Sequence, residues 1–550
     1  MQNENTDAAI QRREWWSFLR KTLSATVALV GILLAGYYIF GPSRVEFHAD
    51  CTDTILWAQT TRESGRWLDP DFQYACFLPF GGQLLMGIFL PIFGLSMKSQ
   101  ACGMLLFTLL FCAALVWCCF SVGFSWEQSA RTLGLMLLVL LCSGKLREIF
   151  FGHIIYYSLG VLMLLTAFSL SMKLLAQLAQ PQPLRTARFW IFSAILGVFL
   201  TLCALNGIQA LALCAFPLLC AWLGNWFLRK EPLFSGQKQW LFLAISGGIA
   251  LCSLVGLGFR ALLIGAQSAG YANAYSRFSA PTEWMNNLRA LPGNWFTLLG
   301  IEVSFATEIA SVEGIVAIIQ IAGAGLLLLL PFVALRFYRR FSQKEQMLLL
   351  ACAGMSVFVL FGWVCGMLSS ANWRLTPLLC ASILSCAVLL RRIAHSLPCR
   401  RALCCVLAVL MLFCTQSAVR VLRLSNHPAD HPLYRITETL REKGLTYGYA
   451  TFWNANAITL LSDDTVRVRM VLATKEQGLT TDYYQSAHRW YEDQPGVTQY
   501  FLLLTEAEYE SFKWSNWYEA HPAKTKEPIG DGYILLLYET NPMTLTARNP

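Results

Sequence analysis

Apolar runs of about 20 residues, the length that crosses a bilayer as a helix, recur along most of the chain. The first run extends from Leu23 to Phe40. Others lie at 99–122, 132–144, 155–177, 189–205, 208–228, 240–259, 312–335, 347–369, 375–390 and 402–422. This pattern predicts an α-helical polytopic membrane protein with about 11 transmembrane helices.

One apolar segment, 82–97, is shorter than the others and is interrupted by Pro91. If it crossed the membrane, the basic clusters at 336–340 and 391–401 would face outward, against the bias of Lys and Arg toward the cytosol. We therefore predict that it forms an interfacial helix on the outer surface. With this assignment the cytosolic loops carry 19 Lys and Arg and the opposite loops 10, and the N-terminus is cytosolic.

The pattern changes after Arg423, where the long apolar runs end. The alternating stretches DTVRVRMVL and GYILLLYE are typical of strands, and residues 433–443 have helical spacing. We predict three parts: a cytosolic tail at 1–22, a transmembrane domain at 23–424 with a large outer loop at 42–98, and a small extracytoplasmic α/β domain at 425–550.

Composition and charge limit the classes of function that the chain can have. Hydrophobic residues form 56% of the chain and charged residues 14%, and the mean hydropathy is +0.48, which excludes a soluble multidomain enzyme. The net charge of +9 divides into +14 for residues 1–424 and −5 for residues 425–550. Because the positive charge lies in short loops between apolar runs, it indicates topology, and we expect no nucleic-acid partner.

The cysteines do not form an obvious disulfide framework. Of the 19 in the chain, most lie inside apolar runs, where they behave as small hydrophobic residues. Only Cys51 and Cys76 fall clearly in a predicted outer loop. A disulfide between these two is one alternative, and two free thiols are the other.

Polar residues concentrate near the predicted outer face. Asp50 and Asp53 follow the first span within a few residues, and Asp53 opens a segment with helical spacing. A helix-capping role explains an acidic residue at such a position. The alternative is catalysis, since a carboxylate at the lipid interface can meet both a membrane-held donor and an aqueous acceptor.

The region after the first span resembles the GT-C glycosyltransferases, including family 39 and the protein mannosyltransferases. The resemblance rests on DTILWA, Asp53 to Ala58, which is similar to the family's Asp-Glu motif although Thr54 replaces the usual Glu. It also rests on LPFGGQLLMGIFLPIFGLS, which is similar to the family's Pro-containing peripheral helix. The resemblance implies that Asp53 is the catalytic base, with Asp50 as the second candidate.

Two later segments extend this resemblance. GKLREIFFGHIIYYSLG brings a second set of polar groups to the predicted outer surface, and SSANWRLTPLL is similar to the family's Arg-Tyr-Leu-Leu-Pro element. The candidate substrate-binding residues in the two segments are Lys145, Arg147, Glu148, His153, Tyr156 and Arg374. Cations suit a departing phosphate, although anchoring to lipid headgroups explains each of them individually.

The resemblance implies an inverting transferase in the bacterial plasma membrane. Its donor would be a polyprenyl-phosphate sugar, held with membrane lipid, and its acceptor an envelope glycan or a lipid-linked glycan. No resident cofactor is certain, no metal-ligand cluster with diagnostic spacing occurs, and a divalent-metal requirement stays open. The alternatives are a transporter or flippase for lipid-linked glycans, an envelope polymer ligase, and a non-catalytic assembly protein.

Overall fold

A computed structural model describes residues 2–74, 81–228, 236–264, 277–301, 308–367, 371–393 and 397–546. The helices that precede the C-terminal region are α1 Gln2–Phe40, α2 Asp53–Ser64, α3 Gly82–Gly87, α4 Leu90–Phe93, α5 Met97–Ser121, α6 Trp126–Leu140, α7 Gly144–Arg147, α8 Tyr156–Leu178, α9 Ala187–Ala204, α10 Ile208–Ala210, α11 Phe216–Phe227, α12 Gly236–Ile264, α13 Trp284–Leu298, α14 Val312–Arg336, α15 Gln343–Cys365, α16 Thr376–Ile393 and α17 Leu397–Leu422.

Ten helices in the described part of the chain are long and apolar enough to cross a membrane. They include the run 208–227, in which a π-helical turn at Leu211–Ala215 joins α10 to α11. The predicted span at 132–144 corresponds to α6, which has only 15 residues. Helix α6 lies along α1 and runs in the same direction. At one end Glu127 pairs with Arg20, and just beyond the other end Arg147 pairs with Glu46.

The segment predicted to be interfacial forms two short helices, α3 and α4, and no long one. It packs closely on α2: a Cβ added at Gly82 would lie 2.6 Å from Cγ2 of Thr54, the residue after Asp53. Only glycine permits this approach. Helix α3 therefore packs against the start of α2, while Leu84, Ile88 and Ile92 stay exposed.

The C-terminal region contains a six-stranded sheet. Its strands are β2 Tyr447–Ala450, β3 Arg467–Thr474, β4 Gly478–Thr481, β6 Tyr500–Thr505, β7 Thr525–Gly530 and β8 Tyr533–Tyr538, in the order β4-β3-β2-β6-β8-β7. Strand β2 is parallel to β3 and β6, and the other pairs are antiparallel. The helices are α18 Pro432–Glu442, α19 Ala455–Leu461, α20 Glu506–Phe512, α21 Asn516–Ala520 and α22 Pro542–Thr546. The predicted fold class, a polytopic helical membrane protein with a small C-terminal α/β region, is confirmed.

The C-terminal region docks on the loop that follows α1. Strand β1, Phe72–Gln73, pairs antiparallel with β5, Ser486–Ala487. The imidazole of His431 donates from Nε2 to the carbonyl of Phe47 at 2.7 Å, since its Nδ1 accepts from the Leu433 amide. Asp463 accepts a hydrogen bond from the Met97 amide. These contacts place the C-terminal region directly over the candidate acidic residues.

Candidate active site

Asp50 and Asp53 lie at the entry to α2. Asp50 belongs to a single 3₁₀ turn, Ala49–Thr52, and Asp53 is the first residue of the helix itself. The residues in the capping positions of the two elements are His48 and Thr52, and neither element has a side-chain cap. Helix capping therefore does not occupy the two carboxylates.

The carboxyl of Asp53 is held between the loop and the C-terminal region. Burial raises its pKa well above the ordinary value, and the nearby Asp50 carboxylate raises it further. Side-chain hydrogen bonds from Gln485 and Tyr484, and the charge of His48, oppose this rise without cancelling it. A carboxylate with a raised pKa is a stronger base than an exposed one, which suits it to take a proton from a hydroxyl group.

Glu148 is surrounded by cationic and potentially cationic groups. Its carboxylate lies 2.5 Å from Nζ of Lys145, 3.4 Å from Nε2 of His48 and 3.9 Å from Nε2 of His153. Burial alone would raise its pKa, but His48, His153 and Lys145 outweigh that effect and lower the pKa to about 2. Glu148 is therefore ionised at any working pH and is a weak base.

The two histidines connect Glu148 to the aspartates. His48 faces Glu148 on one side and, at 4.0 Å, the Asp50 carboxylate on the other. His153 donates from Nδ1 to the carbonyl of Asp50 at 2.9 Å. Burial lowers the pKa of His153, whereas Cys51 and Glu148 raise that of His48 against the effect of burial. One cluster thus joins Asp50, Asp53 and Glu148 through imidazole rings.

Arg147 points away from this cluster. Its guanidinium forms a two-pronged ion pair with Glu46, with N···O distances of 3.1 and 2.5 Å, and donates to the carbonyl of Leu141. The hydroxyl of Tyr38 also donates to Glu46, at 2.7 Å. With these partners Arg147 is a structural cation at the end of α7, and its predicted role in substrate binding has no support from its contacts.

Arg374 and Tyr156 line a cavity of about 280 Å³ between membrane helices. Tyr157 also lines it, its hydroxyl accepting from that of Tyr156 at 2.5 Å and contacting the Arg374 side chain. Arg277, in the segment before α13, contributes a second guanidinium. The rest of the wall is largely apolar and includes Ile208, Leu213, Phe278, Phe358, Val359 and Phe361.

Lys145 links the cavity to the acidic cluster. Its ammonium group lies 4.8 Å from the centre of the Trp373 ring while it pairs with Glu148. Trp373 directly precedes Arg374 in the 3₁₀ turn Asn372–Leu375. A series of contacts therefore runs from Asp50 through His48, Glu148 and Lys145 to Trp373, the residue before the arginine at the cavity.

Two further predictions concern metal and disulfide bonding. Among the described residues, no group of three or more His, Cys, Asp or Glu is arranged to hold a metal ion. Cys51 is described, but Cys76 lies outside the described residues. The alternatives of a disulfide and two free thiols therefore both stand.

Several site residues were missed in the sequence. His48 could have been noticed, since it precedes Asp50 by two positions in the same loop. Arg277 lies between the apolar runs 240–259 and 312–335, and no motif marks it. Tyr484 and Gln485 carried no signal, because they reach Asp53 from more than 400 positions further along the chain.

No family model matches the sequence, and no curated protein matches it either. Among solved structures, ArnT from Cupriavidus metallidurans in the apo state matches with a TM-score of 0.55 at 12% identity, covering 96% of this chain and 98% of ArnT. The oligosaccharyltransferase of Archaeoglobus fulgidus in complex with Zn and sulfate matches with a TM-score of 0.50 at 14% identity, covering 89% and 70%. ArnT bound to undecaprenyl phosphate gives 0.48 at 13% identity, covering 95% and 98%.

At these identities the likeness concerns the fold. The chain has the fold of the GT-C superfamily, with the helical membrane part and the C-terminal region included in the ArnT alignment. The resemblance read from the sequence is therefore confirmed at the level of fold, and the protein is a multi-pass membrane protein.

Proposed function

We propose that the protein is an inverting glycosyltransferase of the bacterial plasma membrane. It takes a sugar from a polyprenyl-phosphate donor and passes it to an envelope glycan or a lipid-linked acceptor on the extracytoplasmic face, where the C-terminal domain lies. The observation that carries this proposal is the contact series from Asp50, beside the candidate base Asp53, to Trp373, beside Arg374, because it connects the acidic cluster to a cavity with cationic and apolar walls.

The cavity suits the lipid part of such a donor. Arg374 and Arg277 offer planar N–H groups that match phosphate oxygens. The side chains of Phe358, Phe361 and Leu213 offer apolar contact for an isoprenoid chain. With the phosphate at the arginines, the sugar would lie toward Lys145 and Glu148.

The reaction then proceeds in a single displacement. The Asp53 carboxylate accepts the proton of the acceptor hydroxyl as its oxygen forms a bond to the anomeric carbon. The bond from that carbon to the donor phosphate breaks on the opposite face, so the configuration inverts. Arg374 and Lys145 stabilise the charge that develops on the departing polyprenyl phosphate.

Donor binding tests the cavity assignment directly. We expect Arg374→Gln to weaken binding of undecaprenyl phosphate to the full-length protein in nanodiscs by about 10- to 100-fold, because the variant loses a hydrogen bond from a charged group to the phosphate. The matched control is Arg336→Gln, an exposed arginine at the end of α14. Equal binding by Arg374→Gln and wild-type protein would remove the arginine from the donor site.

Turnover is tested with undecaprenyl phosphate that carries a radiolabelled hexose, hexosamine or pentose, mixed with a bacterial envelope extract. We expect label to move from one of these donors to the extract, with release of undecaprenyl phosphate. Asp53→Asn should insert into the membrane and reduce this transfer by about 1000-fold. Transfer at the wild-type rate by Asp53→Asn would overturn the assignment of the base.

A further inference from the structure

Trp453 is an exposed aromatic residue of the C-terminal region that lies beside the acidic cluster. It is 60% exposed, and its ring faces the imidazole of His48 with the ring centroids 6.3 Å apart. His48 in turn lies within 4.0 Å of the Asp50 and Glu148 carboxylates. A large aromatic surface is therefore open to solvent next to the groups that form the candidate active site.

The turn that carries Trp453 is held by hydrogen bonds on both sides of the residue. The carbonyl of Thr451 accepts from the Asn454 amide at 3.0 Å, and its hydroxyl donates to Glu508 at 2.7 Å. The hydroxyl of Tyr533 donates to Oδ1 of Asn454 at 2.9 Å. A tryptophan on a fixed backbone offers a large contact area at a low cost in conformational entropy, as in binding loops.

The same turn lies at the point where the sheet changes direction. Strand β2 is parallel to both of its neighbours, and the chain leaves it through α19 to β3 on one side, whereas β6 on the other side leads toward β7 and β8. Open α/β sheets bind ligands at such a point, beyond the carboxyl ends of the parallel strands. Trp453 follows the end of β2, and α19 packs on the turn Ala49–Thr52. This edge of the sheet therefore faces the acidic cluster.

The contacts of the candidate active site separate Trp453 from the donor cavity. Trp453 faces His48, which pairs with Glu148. Glu148 is connected to the cavity side through Lys145. In the proposed displacement the acceptor approaches the anomeric carbon from the face opposite the departing phosphate. The end of the series at Trp453 is therefore the acceptor end.

We propose that Trp453 is an acceptor-binding residue and that the acceptor is a saccharide, one pyranose ring of which stacks on the indole. The inference rests on the proposed function and selects a glycan over a protein hydroxyl or a lipid without sugar. The C–H groups on one face of a pyranose form an apolar surface that fits the electron-rich face of an aromatic ring. The hydroxyl groups at the edge of the same sugar stay free to reach the acidic cluster.

Acceptor kinetics in nanodiscs test this assignment with the full-length protein. The donor is the labelled undecaprenyl-phosphate sugar, and the acceptor is the oligosaccharide fraction that mild acid releases from a bacterial envelope extract. We expect Trp453→Ala to raise the KM for the oligosaccharides about tenfold, because a stacking contact is lost. The kcat and the KM for the donor should stay near wild type, since the contact is the same in the ground state and the transition state.

Two further variants separate the ring from general effects of the substitution. Trp453→Phe retains a smaller ring, so its KM should lie between those of the wild type and Trp453→Ala. Trp514→Ala is the matched control, because Trp514 is 69% exposed in the same region and Lys513 lies over its ring at 5.2 Å. A wild-type acceptor KM in Trp453→Ala, or an equal rise in Trp514→Ala, would overturn the proposal. So would transfer of label from the whole extract only to proteins or to sugar-free lipids.

Binding without donor provides a readout that does not depend on turnover. Saturation-transfer NMR detects contact between the protein in nanodiscs and the same oligosaccharide fraction. We expect a signal with the wild type and Trp514→Ala, and loss of most of it with Trp453→Ala. An equal signal in all three proteins, or none with the wild type, would contradict saccharide binding at Trp453. If Asp53→Asn transfers sugar normally, the proposed catalytic base fails, whereas the NMR result still decides whether Trp453 binds a saccharide.

Discussion

Asp53 and Glu148 are two carboxylates of one cluster whose surroundings drive their pKa values in opposite directions. The Asp53 carboxyl is desolvated beside another acid, which raises its pKa. Glu148 is also largely buried, but Lys145, His48 and His153 surround it and lower its pKa to about 2. Opposed shifts within one site assign different roles to chemically similar groups. Within the proposed mechanism, this difference favours Asp53 as the proton acceptor and Glu148 as a fixed anion that pairs with the neighbouring cations.

Neutralising each acid in turn is the most direct test of the different roles assigned to Asp53 and Glu148. We expect Asp53→Asn to reduce transfer by about 1000-fold, the usual contribution of a general base. Glu148→Gln should reduce it by about tenfold, because Lys145 and His48 lose their anchor while the base stays in place. The measurement is labelled-sugar transfer at saturating donor, with insertion of both variants verified by protease protection of the C-terminal domain. A greater loss in Glu148→Gln would reverse the two roles.

The sequence was a good guide to the fold and, within this pair, to Asp53 as the candidate base. Apolar run length sets the spans, and the basic loops set a topology that brought Asp50, Asp53, Glu148 and Arg374 to one face. The sequence did not reveal that neighbouring residues have different partners. Arg147 and Glu148 are adjacent, yet one pairs with Glu46 and the other faces the histidines. That division depends on a helix turn and on the exit of α1, which no local pattern encodes.

The C-terminal contribution was out of reach for a different reason. Arg489 has an ordinary residue type in a segment without a motif, and its importance comes from its contacts with Thr60 and Glu63 of α2. Contacts between residues separated by more than 400 positions leave no periodicity in a single sequence. Only the docked fold reveals them.

The acid stability of the two variants tests the same comparison without substrate. The folded-state pKa of Glu148 lies below its ordinary value of 4.5, so its stabilisation is complete above pH 4.5 and is lost as the pH falls toward 2. We expect this carboxylate to contribute up to about 3 kcal/mol to the free energy of unfolding above pH 4.5. In Glu148→Gln the Tm should therefore fall less steeply as the pH is lowered below 4.5.

Asp53 should act with the opposite sign on stability. Its folded-state pKa is raised, so the folded protein binds the proton more tightly and loses stability as the pH rises through the raised pKa. Asp53→Asn should therefore raise the Tm at neutral pH relative to wild type. Differential scanning fluorimetry between pH 3 and pH 8 compares the two variants. The same slope change in both would show that their environments are equivalent.

The smallest effect is expected at Arg147, the residue that contrasts with Glu148 from the next position. Arg147→Met keeps the side-chain volume but leaves the Glu46 carboxylate and its Tyr38 partner without a cation. Because Glu46 is 30% exposed, solvent screens part of the loss, and we expect destabilisation of about 1–2 kcal/mol. The double variant Arg147→Met, Glu46→Gln removes the orphaned charge and should recover part of the Tm. If Arg147 instead binds the donor phosphate, Arg147→Met will weaken undecaprenyl phosphate binding as strongly as Arg374→Gln, and the second change will not restore it.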